Sequence, residues 1–228
     1  MALSHSPRIV TDGLVLCLDA GNTKSYPGSG TTWTDLSGKG NVGELVNSPT
    51  YNSSNLGYFQ FVTDDYARIP NNTDLDTQTP SVEVWVKTNA TTQNGFWFEK
   101  GTVNTQYSLF QESGYIVWRH IISGTLTNLV VNPTSSYMNT SSWYQVVGTY
   151  TSGSRRLYIN GVLVGSDTQS GTISTNSGGM SIGAYGGYSG GRSYYYNGNL
   201  AVCRIYNKAL TASEVQQNFN ALRGRFGI

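Results

Sequence analysis

Short runs in which apolar and polar residues alternate, each closed by Gly, Asn, Ser or Pro, recur along the whole chain and constrain it to strands. Alternation with period two puts successive side chains on opposite faces of a strand, so each run can bury one face and wet the other. The runs are Gly13 to Ala20, Tyr58 to Val62, Ala67 to Ile69, Val82 to Lys87, Gly95 to Lys100, Tyr107 to Gln111, Tyr115 to Ile121, Leu126 to Val131, Trp143 to Thr149, Arg155 to Ile159, Val162 to Ser166, Met180 to Ala184 and Gly198 to Tyr206. Many short strands at this spacing predict an all-β, two-sheet antiparallel sandwich. Within VEVWVK, Val82, Val84 and Val86 share one face and Glu83, Trp85 and Lys87 the other. This predicts a half-exposed strand with Glu83 in solvent and Trp85 on the wetter or inter-sheet face.

Two local signals are sharper. Asn160-Gly161 separates two alternating runs, and both residues tolerate the positive φ that a two-residue type I′ hairpin turn requires. Near the end of the sequence, Thr211 followed three residues later by Glu214 is a capping box, and Val215, Phe219 and Leu222 then fall on one helical face, predicting a short amphipathic C-terminal helix. No linker-like stretch or internal repeat interrupts the pattern. The expected organisation is an N-terminal arm over 1–11 and a sandwich over 12–228.

Composition narrows the function classes. The 228 residues include 14 Lys+Arg and 13 Asp+Glu, a net charge of +1, with no basic tract, so nucleic acid is not expected as a partner. No run approaches the ~18 apolar residues of a membrane span. Met1 to Val10 lacks the basic and apolar regions of a secretory leader, so no export signal is expected. Cys17 and Cys203 read as buried free thiols, with a disulfide open if the strands that carry them pair.

Catalytic signatures are sparse. The glutamates Glu44, Glu83, Glu99, Glu112 and Glu214 include none two residues from another acid on a strand, whereas glycoside hydrolysis needs two carboxylates across one bond. His5 lies in the arm, and His120 is expected at a strand surface or loop edge rather than in a triad. Glu214 is explained by capping. No enzyme is expected. Asp64, Asp65, Asp74 and Asp76, with Asn71 and Asn72 nearby, are weak calcium candidates, since the same residue types populate turns without an ion. No cofactor is demanded.

The most distinctive stretch is Gly178 to Gly198, where Tyr185, Tyr188, Arg192, Tyr194, Tyr195 and Tyr196 stand among glycines. Tyrosine offers a flat apolar face and a hydroxyl, which suits stacking on a sugar ring or anchoring a protein interface. These six residues are the candidate ligand- or partner-binding set, against the alternative that some tyrosines enter the core and the glycines only make turns.

Ordered blocks then resemble a family. W-Y-x-V-V-G-T-Y at 143–150, L-Y-I-N-G-V-L-V-G at 157–165, M-S-I-G-A-Y-G-G-Y at 180–188 and Y-N-G-N-L-A-V-C-R-I-Y-N-K-A-L-T at 196–211, with F-V-T-D-D-Y at 61–66, resemble laminin-G-like jelly-roll domains of the concanavalin A-like lectin type. The opening G-L-V-L-C-L-D-A-G-N at 13–22 and W-T-D-L-S-G-K-G-N at 33–41 are similar to versions in structural proteins of tailed, especially marine, bacteriophages. The resemblance implies a jelly roll in a non-enzymatic virion decoration or appendage protein. Such a protein would sit at the virion surface, attach to neighbouring capsid or tail subunits, self-associate and contact host-surface glycans. A carbohydrate-binding module is the alternative, and a glycoside hydrolase the third. Where many relatives carry an acidic residue before the R-I-Y-N strand, this chain has Leu200, Ala201 and Val202, which counts against a family-type calcium site.

Overall fold

A computed structural model describes residues 7–101, 106–131, 134–186 and 191–228. In chain order these form β1 (Leu14–Asp19), β2 (Thr32–Trp33), β3 (Gly43–Val46), β4 (Thr50–Asn52), β5 (Tyr58–Phe61), β6 (Tyr66–Ile69), β7 (Ser81–Thr88), β8 (Gly95–Lys100), β9 (Tyr107–Glu112), β10 (Tyr115–Ile122) and β11 (Thr125–Val131). A single helical turn, α1 (Thr134–Tyr137), precedes β12 (Tyr144–Thr151), β13 (Ser154–Ile159), β14 (Val162–Asp167), β15 (Met180–Ile182), β16 (Gly198–Tyr206) and α2 (Ala212–Leu222). The first sheet runs β14-β13-β12-β7-β16-β5-β4, with β1 also paired to β16; the second runs β11-β10-β9-β8-β15-β6-β3-β2. Among the described residues no helix is long and apolar enough to cross a membrane.

The inner faces meet in one core. Val82, Val84 and Val86 of β7 and Leu200, Cys203 and Ile205 of β16 oppose Trp118, Leu109, Phe98 and Ile182 of the second sheet. Gly148 on β12 leaves room for the core, because a Cβ there would lie 2.5 Å from the Trp118 indole. The expected hairpin forms between β13 and β14, with Asn160 at φ 50° and Gly161 at φ 79°. The capping box of α2 is also present, with the Thr211 side chain accepting from the Glu214 backbone N–H and the Glu214 side chain accepting from Thr211 N–H.

Strand β7 departs from expectation. Both of its faces are buried, because α2 and the 3-10 turn Arg223–Phe226 cover the outer face of the first sheet. Trp85 stacks on Phe226 at 4.5 Å and on Phe219 at 6.0 Å. Glu83 lies fully buried beside it rather than in solvent. It accepts four hydrogen bonds, from Trp85 Nε1 at 2.9 Å, Gln145 Nε2 at 3.0 Å, Arg204 Nη1 at 3.1 Å and Asn218 Nδ2 at 2.8 Å. Burial opposes the Arg204 charge more than any single neighbour favours it, but Glu83, followed by Cys17, Tyr206 and Asp19, together outweigh it and raise the guanidinium pKa. The same cluster fastens the start of the chain. Val10 donates its N–H to Asn218 Oδ1 at 2.8 Å, and its carbonyl accepts from the Tyr206 hydroxyl at 3.1 Å.

The cysteines are free, and register explains why. Leu18 is the cross-strand partner of Cys203 and Cys17 that of Arg204, so the two thiols point to opposite faces of the same sheet. His120 corrects a second expectation, since it is fully buried between the sheets and not at a strand surface.

Candidate functional site

The outer face of the second sheet differs from that of the first in having no helix over it among the described residues. Cross-strand register lays two rows of side chains along this face. One row is apolar: Val130 on β11, Val117 on β10, Phe110 on β9 and Phe96 on β8. The other is polar and crosses seven strands, from Asn128 through Arg119, Ser108, Glu99, Ser181 and Arg68 to Glu44. A register shift between Phe96 and Phe98 lets Phe96 and Glu99 share the outer face while Trp97 and Phe98 both enter the core.

The tyrosine-rich segment lies on these rows. Tyr185 packs on Phe96 at 5.0 Å between ring centroids, and Tyr194 meets Tyr185 edge-on at 6.1 Å. Backbone bonds between Tyr185 and Ser193, at 3.0 and 3.3 Å, and from Phe96 N–H to the Tyr194 carbonyl at 3.2 Å hold the two rings there. Gly186 donates its N–H to Glu99 Oε2. Tyr194 is 54% exposed although its φ is 48°, a left-handed conformation that is strained for a bulky residue. Beneath these rings Phe96 and Phe110 stack at 4.1 Å, and the Arg119 guanidinium lies 4.4 Å over the Phe110 ring. Arg119 donates from Nε to Asn128 Oδ1 at 3.0 Å and lies 3.9 Å from Glu112. Burial lowers its pKa from the ordinary arginine value, with Glu112, Tyr185 and Glu99 acting in the opposite direction. Tyr115, on the same face of β10, is partly exposed, whereas Ser108 Oγ is buried without a hydrogen-bond partner.

The six candidates from the sequence therefore divide. Tyr185 and Tyr194 come together on Phe96. Arg192 lies apart from them, its guanidinium 4.6 Å over the Tyr66 ring and its Nη1 donating to the Gly186 carbonyl at 3.0 Å. Tyr195 belongs to that second group; burial raises its hydroxyl pKa, and Asp64 and Tyr66 add to the effect. Tyr196 is corrected to a core residue, fully buried and edge-on to Trp97 at 6.3 Å, so it cannot meet a ligand. Tyr188 lies outside the described residues. Tyr115, Arg119 and Phe110 were not singled out by sequence reasoning, although alternation along β10 already put Tyr115, Val117 and Arg119 on one face.

The four calcium candidates are not arranged as a cage. Asp65 turns inward, its Oδ2 accepting from Val62 N–H at 3.0 Å, and burial raises its carboxyl pKa. Asp76 pairs with buried Lys100 at 2.8 Å, and Asp74 lies 3.7 Å from Lys39. Asn71 accepts from Lys100, and Asn72 caps the Asp74 N–H. A shallow pocket of about 120 Å³ lined by Gly40, Asn41, Val42, Pro70, Asn71 and Asn72 adjoins them. Among the described residues no three His, Cys, Asp or Glu side chains gather as metal ligands, and two of the four carboxylates already face lysines, so this donor set does not fit a hard cation. The acids of the second sheet are also poorly placed for glycoside hydrolysis. Glu112 lies four residues along β9 from Ser108, the partner of Glu99, about 13 Å of strand, so the two acids are not cross-strand neighbours.

The chain matches a family model described as the Concanavalin A-like lectin/glucanases superfamily over residues 61–216. A search of curated protein sequences gave no match. Similar solved structures include the binding domain of Paraclostridial Mosquitocidal Protein 1, 18% identical with a TM-score of 0.72, covering 92% of this chain and 52% of that one. The binding domain of botulinum neurotoxin DC in complex with SialylT is 16% identical with a TM-score of 0.73, over 93% and 52% of the two chains. A botulinum neurotoxin type C structure, whose cell entry depends on two ganglioside molecules, is 16% identical with a TM-score of 0.72, over 93% and 52%. This chain thus spans about half the length of these toxin domains, and at such identities the likeness establishes the fold alone. The family match covers more than half of the sequence, and on that ground the chain belongs to the concanavalin A-like lectin/glucanase superfamily.

Proposed function

We propose that this chain is a non-catalytic carbohydrate-binding module whose ligand surface is the outer face of the second sheet around Tyr185, Tyr194, Arg119 and Tyr115. The observation that carries this reading is the exposed Tyr194 ring set beside a stacked Phe96–Phe110–Arg119 column with Glu112 and Asn128 at its side. A sugar presents an apolar C–H face and a ring of hydroxyls. A flat aromatic takes the first, and a planar guanidinium, a carboxylate and an amide take the second through directional hydrogen bonds. The toxin domains of like fold, crystallised with a sialylated ligand or tied to gangliosides, are consistent with glycan recognition. The virion role implied by the opening residues draws no support from those relatives, so carbohydrate binding is the main reading.

A glycan array tests it. Binding that falls about tenfold in Tyr194→Ala, the equivalent of one lost aromatic stack of up to ~1.5 kcal/mol, supports the assignment. Absence of any glycan ligand, or binding untouched by both Tyr194→Ala and Arg119→Ala, refutes it.

A further inference from the structure

At one side of the sandwich the two sheets end in long strands, β11 and β14, and a buried polar cluster sits between them. Arg155 on β13 reaches across from the first sheet to the second. Its Nη1 donates to the Thr127 carbonyl at 3.1 Å and to Thr127 Oγ1 at 3.0 Å. Its Nε and Nη2 hold Asp167 on β14 at 3.1 and 2.6 Å, the bidentate geometry of a strong pair. Against this guanidinium lies His120 on β10, with Nδ1 3.4 Å from Arg155 Nη1 and with Nε2 buried and without any hydrogen-bond partner. The rings of Trp118 at 4.4 Å and Tyr150 at 4.7 Å enclose the imidazole, and the Tyr150 hydroxyl donates to the Gly171 carbonyl at 2.6 Å.

The neutral imidazole fits, its Nδ1 lone pair facing an Arg155 N–H. The protonated ring does not, because both nitrogens then carry N–H groups. Protonation turns Nδ1 from an acceptor into an N–H aimed at the Arg155 cation, while Nε2–H lacks an acceptor in either state. The titratable and charged groups facing His120 are Arg155 on β13, Asp167 on β14 beyond it, Tyr150 on β12 and Tyr107 on β9, whose hydroxyl is committed to the Leu75 carbonyl. No carboxylate touches the ring; Asp167, the one acid of the cluster, is already taken by Arg155.

We propose that the His120–Arg155–Asp167 cluster is an acid-sensitive latch whose protonation parts β11 from β14 and frees the 168–173 loop, opening this side of the sandwich while the α2 side stays closed. Burial, and then the Arg155 charge, push the imidazole pKa well below the usual histidine value, which is the direction the geometry requires. The sign follows. With the closed-state pKa depressed, the open state takes up the proton first, so closure is complete above the open-state value of about 6.5 and weakens about tenfold per pH unit below it.

Hydrogen exchange measured by mass spectrometry between pH 7.5 and 5.0, corrected for intrinsic exchange, tests this on the full chain. The latch predicts that protection in β11, β14 and 168–173 falls by at least tenfold on acidification while α2 and β7 hold. His120→Gln should abolish that pH dependence. Asp167→Asn should loosen the same segments at both pH values yet keep the dependence. Acid-independent protection in the wild-type chain overturns the proposal, as does a pH response that survives in His120→Gln or is lost only in Asp167→Asn. Should His120→Gln fail to fold, an NMR titration of the wild-type imidazole decides instead: a ring that titrates near 6.5 in the closed fold contradicts the latch, and one that stays neutral until β14 opens supports it.

Discussion

The two outer faces of the sandwich are built from the same chemistry and finish in opposite states. Each sets an arginine beside an aromatic ring and a carboxylate, Arg204 with Trp85 and Glu83 on the first sheet, Arg119 with Phe110 and Glu112 on the second. On the first sheet α2 and the turn after it seal the group, leaving Glu83 unexposed and Arg204 at 2%. On the second no helix arrives among the described residues, and Glu112 keeps 48% of its side-chain surface. Cover, rather than composition, decides which face becomes a structural cluster and which is left to meet a ligand. Low dielectric makes the sealed pair costly to break, whereas water screens the open one.

The largest expected effect breaks the sealed side. Glu83→Ala strands the Arg204 guanidinium and three further donors in the interior, and should cost about 3–5 kcal/mol in urea unfolding. A loss below ~1 kcal/mol would mean that this face is as forgiving as the other. Next in size is Thr211→Ala, which removes the helix cap and should cost about 1 kcal/mol in the same assay. Its effect is confined to stability, so a change in glycan affinity would argue against the division of labour between the faces.

On the open side Arg119→Ala should change stability by no more than about 1 kcal/mol, because the Glu112 partner is solvated, while glycan binding is lost. The smallest stability change, and of opposite sign, is expected for Tyr194→Gly. It relieves the left-handed φ and should leave unfolding unchanged or raised by up to ~1 kcal/mol, although the stacking ring is gone. A destabilised Tyr194→Gly with intact binding would show that the ring is packing and not a ligand platform.

Features specified by neighbours in sequence were legible there. The Asn160-Gly161 turn and the Thr211 capping box each depend on a few adjacent residues, and both form as read. The alternation of β7 and β10 was legible as well, but alternation assigns faces without saying what will cover them. Glu83 and His120 were therefore placed toward water and Tyr196 among the ligand candidates, and each is sealed by an element distant in sequence: α2, β13 and the packing of Trp97. The short strands β2 to β4 went unseen in the sequence. For the site, the tyrosine cluster signalled Tyr185 and Tyr194, whereas Arg119 and Phe110 needed the register between β9 and β10, which a single sequence does not contain.

The most direct measurement is an NMR titration of labelled protein with the tightest glycan found. Ligand-dependent shifts confined to Tyr185, Tyr194, Arg119, Tyr115 and their neighbours on the outer face of the second sheet are the predicted result. Shifts centred on α2 or on the pocket at Asn41 and Asn71, with the Tyr194 surface silent, would contradict the account.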